Sequence, residues 1–290
     1  MKQKHRNGTV IDLPNSQDRL LAALYGNVLG RILLKPLTAP VLSKLAGQLL
    51  STKASCLLIR PFIRRNGIDM SQFEPETYKS YNEFFSRRIR REARPMDYTP
   101  GHLISPCDSK LTVLPITPDA WFTLKHTRYT VASLLKNVSL ASEYAGGLAL
   151  IFRLTVDDYH RYCYVAEGEK EENVSIPGIL HTVNPIANDY YPIYKENARE
   201  YSILHSKEFE DILMMEVGAL LVGKIVNHHE KAHVLRGQEK GYFQFGGSTV
   251  VLLFKAGAVK IDRDILENSR AGIETIVKYG EKIGETASQL

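Results

Sequence analysis

The chain has 290 residues, of which 44% are hydrophobic and 24% charged. That balance belongs to a folded protein with a sizeable core and excludes a disordered or collagen-like chain. A net charge of +5 suits an anionic partner without naming one, and three scattered cysteines (Cys56, Cys107, Cys163) give neither a disulfide framework nor a CxxC metal pair, which fits a reducing compartment.

Met1 to Asp18 is hydrophilic and lacks the apolar centre of a signal peptide. No apolar run is long enough for a spanning helix to be expected. From Arg19 to Ile68 there is no Asp or Glu, against eight Lys or Arg. Leu20, Leu21, Leu24, Val28, Ile32 and Leu33 recur at helical spacing, and Val41, Leu42, Leu45 and Leu49 do so again after Pro36 and Pro40. Apolar faces flanked only by cations suit helices lying in the plane of an anionic bilayer, and equally helices packed on the rest of the protein. Base-reading polar residues and interleaved aromatics are missing here, so nucleic acid is not an expected partner. Arg87-Arg88-Ile89-Arg90-Arg91 reads first as a solvated helix end and second as a contact to a lipid phosphate.

Beyond Pro95 short apolar runs alternate with Gly, Pro and Asp. Lys110–Pro115, Ala149–Leu154, Tyr162–Val165, Ala219–Val226 and Val250–Phe254 are expected strands. The last stretch, from Asp264, is expected to hold a short helix and a turn at Gly280-Glu281-Lys282-Ile283-Gly284. The fold class is therefore α+β: amphipathic helices within residues 1–95, then a β-rich catalytic domain over residues 96–290.

Within that domain, Gly241-Tyr242-Phe243-Gln244-Phe245 leads through Gly246-Gly247-Ser248-Thr249 into Val250–Phe254. Two glycines between strand-like runs permit a tight bend, and a serine after such a bend is able to turn its Oγ on the Gly247 carbonyl. A plain glycine hairpin with an ordinary serine fits the same residues. Asp108, in Ser105-Pro106-Cys107-Asp108-Ser109-Lys110, supplies an acid, and His160, in Asp157-Asp158-Tyr159-His160-Arg161, supplies a base. The order Asp, His, Ser is one of several that activate a hydroxyl, since triads are defined by geometry. Alone, each reads as readily as a turn residue or a structural hydrogen-bonder. His229-Glu230-Lys231-Ala232-His233 matches HExxH, but its flanks read as strand and turn instead of a buried helix, so no metal site is expected.

Together with Tyr81-Asn82-Glu83-Phe84-Phe85-Ser86-Arg87-Arg88, His181-Thr182-Val183-Asn184-Pro185 and Val217–Gly223, these stretches make the chain resemble the phosphatidylserine decarboxylases. These are pyruvoyl-dependent enzymes made as self-processing proenzymes. The resemblance implies cleavage between Gly247 and Ser248 into a β chain, residues 1–247, and an α chain, residues 248–290. It implies a relay of Asp108, His160 and Ser248, with Asp108 orienting the His160 ring. It also implies that Ser248 becomes a covalent pyruvoyl group, the pyruvate cofactor, which forms a Schiff base with phosphatidylserine and yields phosphatidylethanolamine and CO2. The β and α chains are expected to stay together as a heterodimer, peripheral to the cytoplasmic side of the cell membrane. His181, Asn184 and Asn188 lie in a stretch resembling the family's and are read equally as holding the serine carboxylate or phosphodiester and as loop hydrogen-bonders.

Two positions depart from the family pattern. Ser109 stands where many relatives carry Gly, which would displace Asp108 if that position required φ > 0, and Gly246 stands where many carry Leu. A serine hydrolase using Asp108, His160 and Ser248 is a poorer reading, because Ser248 opens a strand and not the helix of a GxSxG elbow. A pyruvoyl decarboxylase of a smaller amino acid would keep the same self-processing parts and stays open.

Overall fold

Strand β12 (Ser248–Phe254) organises the fold, because its β-branched and apolar run is buried from end to end. The computed structural model describes residues 2–12, 25–27, 40–124, 127–182, 193–219, 224–244 and 248–287. Around β12 gather β1 (Lys2–His5), β2 (Val10–Asp12), β3 (Ser109–Pro115), β4 (Leu148–Leu154), β6 (Gly168–Lys170), β7 (Arg199–Ser206), β8 (Glu210–Val217), β10 (Ala232–Val234) and β13 (Glu274–Val277). The order across this sheet is β10-β6-β7-β8-β12-β4-β3-β13-β1-β2, with Val174–Ile176 beside β7. Among the described strands of this sheet, only β13 and β1 run parallel to one another. A smaller sheet is formed by β9 (Ile225–Asn227), β11 (Glu239–Phe243) and β5 (Arg161–Cys163), in that order.

Because side chains alternate along a strand, β12 feeds two cores. Val250, Leu252 and Phe254 meet Phe152, Met214 and Tyr162 on one face. Val251 and Leu253 meet Ile151, Met215 and Tyr201 on the other. Ser248 shares parity with Val250, so its side chain lies on the first face.

The N-terminal part contains α1 (Pro40–Leu50), α2 (Ile59–Asn66) and α3 (Tyr81–Phe85). Ser80 caps α3 by accepting the Glu83 N–H at 3.2 Å. Tyr81, Phe84 and Phe85 form a small core with Leu50, Ile59, Phe62 and Ile63. Four apolar side chains among the described residues are left outside: Leu45 is 52% exposed, Leu49 69%, Leu57 81% and Leu58 50%. The expected periodic run from Leu20 to Leu33 lies outside the described residues, as do the side chains of Val41 and Leu42. Among the described residues no helix is long and apolar enough to cross a membrane.

Several expectations need adjusting. Lys2–His5 and Val10–Asp12, which fall in the stretch expected to be helical, are strands at the edge of the main sheet. Arg6 holds that edge by ion pairs to Asp262, Asp264 and Glu281. Ala219–Val226 is not one strand: Ala219 lies outside strand β9, which starts at Ile225, and residues 220–223 are outside the described set. The Gly280–Gly284 stretch bends only at its start, where Gly280 has φ 79°, and Lys282–Thr286 is then a strand paired with Val259–Ile261 and His102–Ile104.

Candidate active site

Ser248 is the first residue of β12 and sits opposite Leu154, the last residue of β4. Beyond Leu154 the chain turns back at Thr155–Asp158, with the Asp158 N–H on the Thr155 carbonyl at 2.9 Å, and re-enters as β5. That return carries His160 beneath the start of β12. His160 Nδ1 lies 3.3 Å from Ser248 Oγ, and both residues are fully buried. The other ring nitrogen, Nε2, is 3.0 Å from the Thr155 carbonyl. A carbonyl only accepts, so Nε2 carries the hydrogen and Nδ1 is left as an acceptor for the serine hydroxyl. Phe85 covers the ring at 4.1 Å between centroids. Burial, with the positive charge of Arg87 adding to it, pushes the His160 pKa down to about 3, so the imidazole is neutral at pH 7.

The turn that holds Nε2 is itself pinned. The Asp158 carboxylate accepts the Thr155 N–H at 2.7 Å and the Thr155 hydroxyl at 2.9 Å. Lys110 on β3 donates to the same carboxylate at 2.6 Å. Burial lifts Asp158 above the usual carboxylate range, while Lys110 opposes that rise. Lys110, Asp158 and Thr155 therefore fix the ring orientation at one remove.

Asp108 does not perform that task through a hydrogen bond to His160. Arg94 donates to it from Nε at 2.8 Å and from Nη2 at 2.6 Å, and the Tyr279 N–H adds a third bond at 2.8 Å. Burial alone would raise its pKa, but Arg94 and Lys278 hold it below the ordinary range. The expected orienting contact is absent because the carboxylate is taken by Arg94 and the His160 Nε2–H by Thr155. Ser109 is an ordinary first residue of β3, without positive φ, so that position needs no glycine.

Of the other expected residues, His181 is described and buried. His181 Nδ1 faces the Tyr25 hydroxyl at 3.4 Å, and the His181 N–H donates to Asn197 Oδ1 at 3.0 Å. Asn184, Asn188 and Gly247 lie outside the described residues. His229 and His233 do not share a helix face: His229 Nδ1 meets the Tyr164 hydroxyl at 3.3 Å, and His233, in β10, meets Glu169 at 2.8 Å.

Thr155, Asp158, Lys110 and Phe85 escaped the sequence reading. A Thr followed three residues later by Asp is a turn signature that would have marked the first two. Arg87, read as solvated, is 1% exposed between Phe73 and Phe84, whereas Arg88, Arg90 and Arg91 are exposed. In sum, a dry hydroxyl faces the acceptor nitrogen of a neutral imidazole, which is the arrangement of a base-activated nucleophile.

The family described as phosphatidylserine decarboxylase matches residues 81–285. A phosphatidylserine decarboxylase proenzyme 2 from Clostridium acetobutylicum is 50% identical over 267 residues, covering 92% of this chain and 91% of that protein. Phosphatidylserine decarboxylase proenzymes from Clostridium botulinum strain 657 and Clostridium novyi are 42% and 41% identical over 247 residues, covering 83% of this chain and 84% of each.

Proposed function

The chain belongs to the phosphatidylserine decarboxylase family, and we propose that it is a proenzyme that cuts itself at Gly247-Ser248 and then decarboxylates phosphatidylserine to phosphatidylethanolamine. One observation carries the self-processing step: buried Ser248 Oγ stands 3.3 Å from an acceptor nitrogen of buried His160.

In the first step Ser248 Oγ bonds to the Gly247 carbonyl carbon while its proton passes to His160 Nδ1. The nitrogen of residue 248 leaves with a proton, and an ester replaces the amide. Loss of the Cα proton and of the Cβ–O bond then frees the Gly247 carboxylate, which ends the β chain of residues 1–247, and leaves dehydroalanine. Water enters, ammonia departs, and a pyruvoyl group begins the α chain of residues 248–290. A ring with so depressed a pKa takes the proton only as the C–O bond forms, and general-base help of this kind contributes about 10²–10⁴-fold.

The start of β12 suits such a group, since Ser248 is held by strand pairing, shielded by burial and faced by one polar atom, His160 Nδ1. When present, the pyruvoyl ketone supplies an acceptor for the substrate amine, and its neighbouring carbonyl spreads the charge left by CO2. His160 is then the group we assign to pass a proton to the α carbon, taking it up only transiently at Nδ1. Asp108 contributes by joining Arg94 of the β chain to Tyr279 of the α chain, which favours a lasting heterodimer.

Leu45, Leu49, Leu57 and Leu58 stand exposed beside Lys53, Arg60, Arg64 and Arg65, with no acid among them. This supports a lipid substrate and peripheral attachment to an anionic surface on the cytoplasmic side of the cell membrane. Denaturing electrophoresis of the purified protein should resolve two chains, and Ser248→Ala should give one chain and no CO2. Decarboxylation by a wholly uncut protein would refute the proposal.

A further inference from the structure

Two arginines of this protein, Arg153 buried and Arg94 partly buried, meet carboxylates in the same way. Arg94 grips Asp108 through Nε and Nη2, and Arg153 grips Glu274 through Nε and Nη2, each with the side-on fork that matches two oxygens. Arg87 is buried as deeply, yet its Nε and Nη2 have no hydrogen-bond partner among the described residues. Its guanidinium lies 4.1 Å from the Phe73 ring centroid and 4.7 Å from that of Phe84, and Nη1 alone is engaged, by the Phe84 carbonyl at 3.3 Å. Asp157 acts on Arg87 through space but makes no bond to the fork. Tyr78 Oη, whose phenol feels the Arg87 charge, is likewise buried without a partner.

Burial lowers the Arg87 pKa only to about 10, so the group is charged at neutral pH. A buried guanidinium whose fork makes no hydrogen bond loses solvation that the protein does not replace, and an apolar side chain of similar length avoids that cost. The fork also lies within electrostatic reach of His160. Arg87 follows helix α3, whose Phe85 covers the His160 ring, and the Arg87 charge is felt at that histidine.

We propose that the Nε–Nη2 fork of Arg87, with Tyr78 Oη, receives an oxyanion of the substrate headgroup, either its phosphodiester or its carboxylate, next to Ser248 and His160. Both groups offer two oxygens at the spacing the fork uses elsewhere in this protein. The identity of the headgroup rests on the decarboxylase reading above; the vacant fork does not.

Thermal unfolding of the purified enzyme with glycerophosphoserine and with glycerophosphoethanolamine, which keeps the phosphodiester and lacks the carboxylate, tests this. The parent should be stabilised by headgroup. Arg87→Met should melt no lower than the parent without ligand and bind glycerophosphoserine at least about tenfold more weakly. Weakening of both headgroups marks the phosphodiester as the bound group, and weakening of glycerophosphoserine alone marks the carboxylate. Parent-like binding by Arg87→Met, no stabilisation of the parent by either headgroup, or a variant that melts well below the parent or fails to fold would each overturn the proposal, the last by making Arg87 structural. Absence of CO2 release from the parent would instead sink the decarboxylase reading, and the headgroup shifts would still decide the role of Arg87.

Discussion

Strand β12 has every residue buried and a paired strand on each edge, whereas the stretch from α1 to α2 leaves four leucines at least half exposed beside a row of cations. Both are apolar sequences, but they differ in what completes them. The strand is completed within the chain, so its first residue is held to a fixed geometry against His160. The helices keep apolar surface that the described residues do not cover, and a membrane is the surface we propose for it. On this proposal, catalytic precision and surface attachment are divided between a closed region and an open one.

The sharpest way to break this contrast is at the first residue of the strand. Ser248→Ala should leave the chain uncut and without CO2 release on gels and in gas-release assays, while His160→Ala should slow maturation by about 10²–10⁴-fold. Unimpaired cutting in the histidine variant would remove His160 from the self-processing role. Next in size, Leu252→Ala in β12 should cost about 2–5 kcal/mol in denaturant unfolding, whereas Leu57→Ala should stay within about 0.5 kcal/mol. Equal costs would erase the distinction between closed and open regions.

Acid should also discriminate. His160 has its folded pKa depressed from 6.5 to about 3, so the unfolded chain takes up a proton that the folded chain refuses. Its contribution to stability is complete above pH 6.5 and is lost as pH falls toward 3, by at most about 1.4 kcal/mol per unit. Unfolding curves of His160→Phe should be flatter over that window, and an unchanged slope would count against a buried neutral ring. The smallest effect belongs to the helices. Changing Leu45, Leu49, Leu57 and Leu58 to Gln should lower partition onto anionic vesicles about tenfold or more without moving Tm, and the parent's partition should weaken with salt.

The two regions also differ in how readily they could be read from sequence. β3, β4 and β12 are legible as short apolar runs bounded by Gly, Pro and Asp. The edge strands β1 and β2 were not, since Lys2–His5 is polar and becomes a strand only by pairing with β13. The Ser248–His160 pair was reached through family resemblance, because 88 positions separate the two and nothing local joins them. Asp108 was expected to orient His160, whereas its carboxylate is bonded by Arg94, which lies in a stretch that reads as charged surface. Arg87 shows the same limit: four arginines within five residues look alike until Phe73 and Phe84 close over one of them.

Intact-mass measurement of the active, purified enzyme is the most direct test of the central claim. We expect two species, residues 1–247 and residues 248–290, the smaller beginning with a ketone in place of the amine and side chain of Ser248. A single full-length mass with residue 248 still an ordinary serine, in protein that releases CO2 from phosphatidylserine, would contradict the account.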